Sequence, residues 1–287
     1  MTNPSAHAAA DPAASVENAV NNSGSSFLAA MRFLPPDKRQ AMYALYSFCR
    51  EVDDIADEAG TPEEKRRRLA EWRQEIERMF KGAPSMAISC VLSDAVSRFD
   101  LRKVDLLALI DGMEMDATGT VRIADESELA LYCDRVACSV GRSSNRIFGV
   151  APETGDALAR ALGDALQMTN ILRDLDEDAE RDRLYVPLSL LGAHGISEVD
   201  DAAGVLAHPR FPEVCAVLAA MTRQRYAAAR AIMAGCERRA VRPAAVMMEI
   251  YRAIFERLVA RGWRQRGGAV RVPRLLKLWI ALRHGVF

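Results

Sequence analysis

The 287-residue chain has almost no net charge: 38 lysines and arginines oppose 39 aspartates and glutamates, leaving −1 at pH 7. That balance excludes a chain-wide electrostatic footprint for nucleic acid, and no nucleic-acid partner is expected. Histidine is scarce. His7, His194, His208 and His284 lie too far apart for an HExxH or HxH pattern, which excludes a histidine-based zinc or iron centre. The six cysteines, Cys49, Cys90, Cys133, Cys138, Cys215 and Cys236, form no CxxC pair and no disulfide-scaffold spacing, and they read as reduced core thiols. Neither GxxxxGK(S/T) nor GxGxxG occurs, so a P-loop and a standard dinucleotide-binding turn are both absent. No apolar run approaches the roughly eighteen residues of a membrane span, and the N-terminus lacks the basic start and apolar run of a secretory signal. A cytoplasmic protein is expected.

Half of the residues are apolar, enough for a large core, which excludes general disorder. Residues 1–22 are mostly Ala, Asn, Ser and Pro and read as a flexible leader; residues 23–287 read as one domain. After Pro35-Pro36 the apolar residues recur at helical spacing, punctuated by breakers at Gly60, Gly82 to Pro84, Gly119, Gly149 to Pro152, Pro187, Gly192 to Gly195, Pro212, Pro243 and Gly267-Gly268. Thr61 to Glu64 forms a capping box with Pro62 at the first helical position, and Asp125 to Glu128 suggests a second. Only Gly119 to Ala124 hints at an extended segment. The fold class is all-α, a helical bundle.

Two polar stripes stand out. Tyr46, Arg50, Asp53 and Asp57 step by four, three and four residues, so they share one helical face; Gln167, Asn170, Asp174 and Asp178 step by three, four and four and do the same. Carboxylates four apart repel each other by a few tenths of a kcal/mol in an isolated helix. A bound cation offsets that, and Mg²⁺ favours hard oxygen ligands together with phosphate oxygens. Two such stripes facing one another across a bundle would hold a diphosphate through Mg²⁺ and stabilise it as a leaving group. Arg50 and Arg173 stand beside the carboxylates as direct phosphate contacts, and Gln167 and Asn170 offer amide oxygens. Phe27, Phe33, Phe48, Tyr132, Phe148 and Tyr251 are spread through an otherwise Leu-, Ala- and Met-rich chain, which suits a prenyl chain and a carbocation kept from water.

Other readings are weaker. A solvated acidic helix face would explain the first stripe alone but not a second one in register. Asp174, Asp176 and Asp178 match EF-hand ligand positions, but Ala179 and Tyr185 stand where that loop needs glycine and glutamate. Asp111, Glu114 and Asp116 read as the polar edge of an apolar helix. The basic stretch from Arg261 to Phe287 reads first as a packed terminal helix, then as a phosphate contact, then as peripheral contact with the inner face of a membrane.

The motifs CREVDDIADE (49–58) and QMTNILRDLDED (167–178), followed by RLYVP (183–187) and lying about 120 residues apart, resemble the squalene and phytoene synthases. The resemblance runs from Ser25-Ser26-Phe27 and Arg32 to Pro35, through Tyr132 to Gly141, to at least Tyr251. It implies an isoprenoid-synthase bundle with a central prenyl diphosphate cavity, in which Asp53, Asp57, Asn170, Asp174 and Asp178 bind Mg²⁺, with Mn²⁺ as a substitute. It further implies phosphate contacts from Ser26, Arg50, Arg173 and Arg183, substrate contacts from Phe27 and Gln167, and a reaction chamber lined by Tyr46, Tyr132 and Tyr251. Within the family, CREVDDIADE and DGMEMD (111–116) most resemble the bacterial branch linked to hopanoid synthesis. That branch condenses two farnesyl diphosphates head to head into presqualene diphosphate without NADPH and passes it to a squalene-forming enzyme. Phytoene synthesis, NADPH-dependent squalene synthesis, terpene cyclisation and a non-catalytic binding role are the alternatives. Cys138 stands where the family commonly has glycine, so the helix there is expected to approach its neighbour less closely.

Overall fold

A computed structural model describes Met31, residues 34–264 and, beyond them, residues 266, 268, 270, 272, 273, 276, 279, 280 and 283. The leader, Ser26, Phe27, Phe33 and much of the basic C-terminus lie outside the described residues.

Helix α1 (Pro36–Asp57) starts at the Pro35-Pro36 step, where the missing N–H costs nothing, and buries Ala41, Leu45, Phe48, Val52 and Ile55 along one stripe. In α2 (Pro62–Phe80) the expected capping box forms: the Glu64 N–H donates to Thr61 Oγ1 at 3.2 Å, and the Thr61 N–H donates to Glu64 Oε2 at 2.9 Å. Helices α3 (Ala87–Phe99) and α4 (Lys103–Asp116) both pack against α1. One continuous helical rod follows, made of α5 (Glu126–Cys133), a π-turn (Asp134–Cys138) and α6 (Ser139–Phe148). Helix α7 (Pro152–Arg173) runs through the centre, packed by α6, the π-turn, α11 (Phe211–Ala234) and α12 (Arg238–Arg261). Between α7 and α11 lie three short helices, α8 (Leu175–Glu180), α9 (Leu188–Ala193) and α10 (Ala202–Ala207). No helix of the described residues is long and apolar enough to cross a membrane.

The extended hint at Gly119 to Ala124 becomes β1 (Val121–Arg122), which pairs in parallel with β2 (Arg183–Leu184), Val121 opposite Arg183. This two-residue ladder sets Arg183 beside the end of α1. The second capping box is shifted by one residue. Asp125 Oδ1 accepts from the N–H groups of Ser127 and Glu128, at 2.9 and 3.0 Å, but Glu128 reaches back to the N–H of Ala124 at 2.7 Å.

Three expectations need correction. Pro243 does not break a helix: it sits in the second turn of α12, and the helix continues across it. A proline so near a helix start removes one backbone hydrogen bond and leaves the turns beyond it paired. Cys90 is an exposed free thiol, not a core one, although Cys133, Cys138 and Cys215 are buried. Cys138 does not hold the π-turn away from α7, because the residue facing it on that helix is Gly163. A Cβ added at Gly163 would lie 2.7 Å from Cys138 Sγ and 2.9 Å from its Cα.

Candidate active site

The first stripe occupies the last three turns of α1. Tyr46 and Cys49 face inward; one turn further on, Arg50 bonds Asp53 at 2.8 Å and Asp54 at 2.5 Å. Burial, and then the nearby Asp57 charge, push the Asp53 carboxyl up to about 6 despite Arg50. Asp57 ends the helix and is held differently: Arg183 bonds it at 2.7 Å and Arg181 at 3.0 Å. Burial works against the Asp57 charge, but these two guanidiniums outweigh it and keep the carboxyl below its ordinary range.

The second stripe crosses the junction of α7 and α8 without losing its face. Asp174 ends one helix and opens the next, while its N–H still donates to the Asn170 carbonyl at 2.9 Å and its carbonyl still accepts from Asp178 at 2.8 Å. Arg173 clasps Asp174 with two bonds of 2.7 and 2.6 Å. Asp178 has no ion pair among the described residues. Burial, and then the charge of Asp174, push its carboxyl up to about 8. Arg183 lies within electrostatic reach of Asp53, Asp57, Asp116 and Asp178, so the two stripes converge on one guanidinium.

Behind the carboxylates lies a buried polar unit. Asp116 accepts from the hydroxyls of Tyr185 at 2.7 Å and Tyr132 at 3.1 Å, and the two rings stack with centroids 4.8 Å apart. Arg183 also donates to the backbone carbonyls of Ala56 and Asp116, at 3.1 and 3.3 Å, tying the ends of α1 and α4 together. Burial raises the Asp116 carboxyl to about 6 against the lowering effect of these donors.

One turn before the carboxylates the same helices line an apolar cavity of about 230 Å³ between α1, the π-turn, α6, α7 and α12. Its polar end carries Tyr46, Gln167, Asn170 and Tyr251, and its far end is closed by Phe148 and Pro243. Leu158 and Asn170, both in the wall, lie twelve residues apart on α7, about 18 Å along the helix. The cavity is thus a deep slot with its charged groups at one mouth.

The donor set fits a hard divalent cation. The Asn170 side-chain oxygen is buried without a hydrogen-bond partner, and Asp53 and Asp178 are crowded carboxylates that a nearby positive charge would relieve. No group of three or more His, Cys, Asp or Glu side chains among the described residues is already drawn together as a metal cage. Asp53, Asp57 and Asp174 are instead paired with Arg50, Arg181, Arg183 and Arg173, so a cation bound there would have to displace these guanidiniums.

Tyr46, Gln167, Asn170 and Tyr251 thus meet at the cavity, and Arg50, Asp53, Asp57, Arg173, Asp174, Asp178 and Arg183 gather at its mouth. Tyr132 is not among the cavity-lining residues; it stands behind the carboxylates on Asp116. Phe48 packs edge-to-face on Trp72, with centroids 5.3 Å apart, on the opposite side of α1. Asp111 and Glu114 do form the expected polar edge, bonding Arg73 at 2.7 and 2.9 Å, but Asp116 departs from it by being buried in the site. Sequence reasoning missed Asp116, Arg181 and the Tyr185 hydroxyl as members of this network. The available signal was an acid closing an apolar helix and an Arg-x-Arg-x-Tyr run directly after the second stripe.

Residues 20–275 match the family model described as squalene/phytoene synthase. The chain is 43% identical over 274 residues to a presqualene diphosphate synthase of Zymomonas mobilis, covering 95% of this chain and 92% of that protein. It is 42% identical over 280 residues to a presqualene diphosphate synthase of Rhodopseudomonas palustris, covering 98% and 99%. Among solved structures, a dehydrosqualene synthase bound to a ligand shares the fold with a TM-score of 0.83 at 22% identity, over 96% of this chain and 95% of that one.

Proposed function

This chain belongs to the squalene/phytoene synthase family, and from that premise we propose that it joins two farnesyl diphosphates head to head into presqualene diphosphate. One allylic carbon–oxygen bond breaks and inorganic diphosphate leaves with the electron pair. The double bond of the second molecule attacks the resulting cation, and loss of one proton closes the cyclopropane, while the second diphosphate stays on the C30 product. The observation that carries this reading is the placement of both carboxylate stripes at the mouth of an apolar slot, with the Asn170 oxygen buried and unpartnered there.

Asp53, Asp57, Asn170, Asp174 and Asp178 are the residues that would hold Mg²⁺, which when bound neutralises diphosphate oxygens and makes the group a better leaving group. Arg50, Arg173 and Arg183, released from their carboxylates, are placed to take phosphate oxygens. Met42, Leu45, Leu162 and Met247 line the slot and keep water from a carbocation, and the rings of Tyr46 and Tyr251 offer it electron-rich faces. Tyr132 acts from behind: with Tyr185 it fixes Asp116, whose carbonyl in turn holds Arg183. The product keeps a diphosphate, so a separate squalene-forming enzyme must consume it.

The test is product identification from farnesyl diphosphate and Mg²⁺ with and without NADPH. The expected result is one diphosphate released per cyclopropyl C30 diphosphate formed, with no effect of NADPH. Squalene formed only with NADPH would make this a reducing synthase, preference for geranylgeranyl diphosphate a phytoene synthase, and a cyclised product from one substrate a terpene cyclase. A folded protein with no turnover would make it a binding relative.

A further inference from the structure

A second cavity, of about 470 Å³, opens at the opposite end of the bundle and shares Phe148 and Pro243 with the apolar slot. It is lined by Lys38 from the first turn of α1 and by Glu237, Arg239 and Arg242 around the start of α12. Lys38 and Asp53 are fifteen residues apart on one helix, about 22 Å, so this cavity is separate from the carboxylate mouth.

Its charges are unbalanced. Other arginines in this part of the molecule have acidic partners: Arg230 and Arg252 each bond Glu249 at 2.7 Å. Arg239 and Arg242 have no ion pair among the described residues, and the Nε of Arg242 is buried without any hydrogen-bond partner. Asp37, beside Lys38, is engaged by Arg98 at 2.8 Å. Lys38 gives one N–H to the Phe148 carbonyl at 2.7 Å, which leaves two for a ligand. Among the described lining residues Glu237 is the one acid, against three cations. The first turn of α12 holds Arg238 and Arg239 and no acid beyond the capping residue Glu237, so these cations stand at the positive end of the helix dipole, where an anion in the cavity would be favoured.

We propose that this cavity binds a phosphate-bearing anion, with Arg239 and Arg242 as forked donors and Lys38 as a point charge. Guanidinium forks suit the tetrahedral oxygens of phosphate, and the start of α12 adds exposed backbone N–H groups. Leu34 and Val246 in the same wall leave room for an apolar group attached to it. The assignment does not depend on the proposed reaction.

The experiment measures binding to full-length protein in EDTA, with no divalent cation to load the carboxylate mouth. Two probes are used, inorganic phosphate by calorimetry and phosphatidylglycerol vesicles by sedimentation, with phosphatidylcholine vesicles as control. Binding of either probe, weakened at least tenfold in both Arg239→Glu and the double variant Arg239→Gln/Arg242→Gln and kept in Asp174→Asn, is the expected result. Phosphate binding points to a free anion, and binding only to anionic vesicles to a lipid headgroup. Arg239 is exposed, so its single variant keeps the fold if the double variant does not. Failure of both probes to bind wild-type protein, unchanged binding in Arg239→Glu, or loss of binding in Asp174→Asn would overturn the assignment.

Discussion

Asp178→Asn should stabilise the metal-free protein while removing turnover. In the folded chain, burial and the neighbouring Asp174 raise the Asp178 carboxyl from 3.8 to about 8. Folding therefore takes up a proton that the unfolded chain releases. This group's contribution to stability is intact below pH 3.8, is lost as pH rises towards 8, and is constant above that. At pH 7 the interval from the unfolded value is roughly 3 pH, and a slope of about 1.36 kcal/mol per pH makes the ceiling about 4 kcal/mol. Asp178 keeps partial contact with water, and screening reduces the expected penalty to about 2 kcal/mol. Asparagine copies the shape of the protonated carboxyl and has no charge to lose, so it should recover that amount. Urea unfolding followed by far-UV circular dichroism in EDTA checks this. The variant should be more stable at pH 7 by about 2 kcal/mol, with the gain shrinking to a few tenths near pH 4.5. Added Mg²⁺ should raise the midpoint of wild-type protein more than that of the variant. A variant less stable than wild type in EDTA at pH 7, or an equal response of both to Mg²⁺, would refute the reasoning that this carboxylate is kept for a cation.

Asp53→Asn and Asp174→Asn should each reduce product formation beyond the roughly 100-fold typical of losing an outer-shell partner, with unchanged circular dichroism; near-normal turnover would remove both from the metal assignment. Glu75, fully buried in α2, accepts from the N–H groups of Ser85 and Met86 at 2.6 and 2.9 Å, from Arg78 Nε at 2.8 Å and from the hydroxyls of Ser85 and Ser89, so it caps the start of α3. Burial disfavours its charge, but these donors prevail and hold the carboxyl well below the usual range, so its contribution is present above pH 4.5 and fades as pH falls. Glu75→Gln should cost about 2–4 kcal/mol in urea unfolding at pH 7, and the difference from wild type should narrow at pH 3.5. Gly163→Ala should lower the free energy of unfolding by about 1–3 kcal/mol, and Cys138→Ala should not rescue it, because contacts of 2.9 Å to the Cys138 backbone remain. Full rescue would mean that the sulfur alone is the obstacle.

The prepaired arginines connect the electrostatics to the chemistry. Without a cation, Arg50, Arg173, Arg181 and Arg183 satisfy three of the four stripe aspartates, which lets a carboxylate-rich mouth fold. Asp178 has no ion pair among the described residues, and the Asn170 oxygen is buried without a hydrogen-bond partner.

The helical class, the capped start of α2 and both aspartate stripes were legible because each depends on residues within a few turns of one another, and helical periodicity places such residues without knowledge of the rest of the chain. That Arg183 reaches Asp57, 126 residues away, depends on a two-residue β-ladder too short to show any alternating pattern. The removal of Asp116 from its helix edge into a buried tyrosine pair, the close seating of Cys138 on Gly163, and the passage of α12 across Pro243 are likewise matters of which helix lies against which. Local spacing determines which face a side chain takes. Only packing between distant segments determines what that face meets, and both the partners of the carboxylates and the depth of the slot follow from those long-range contacts.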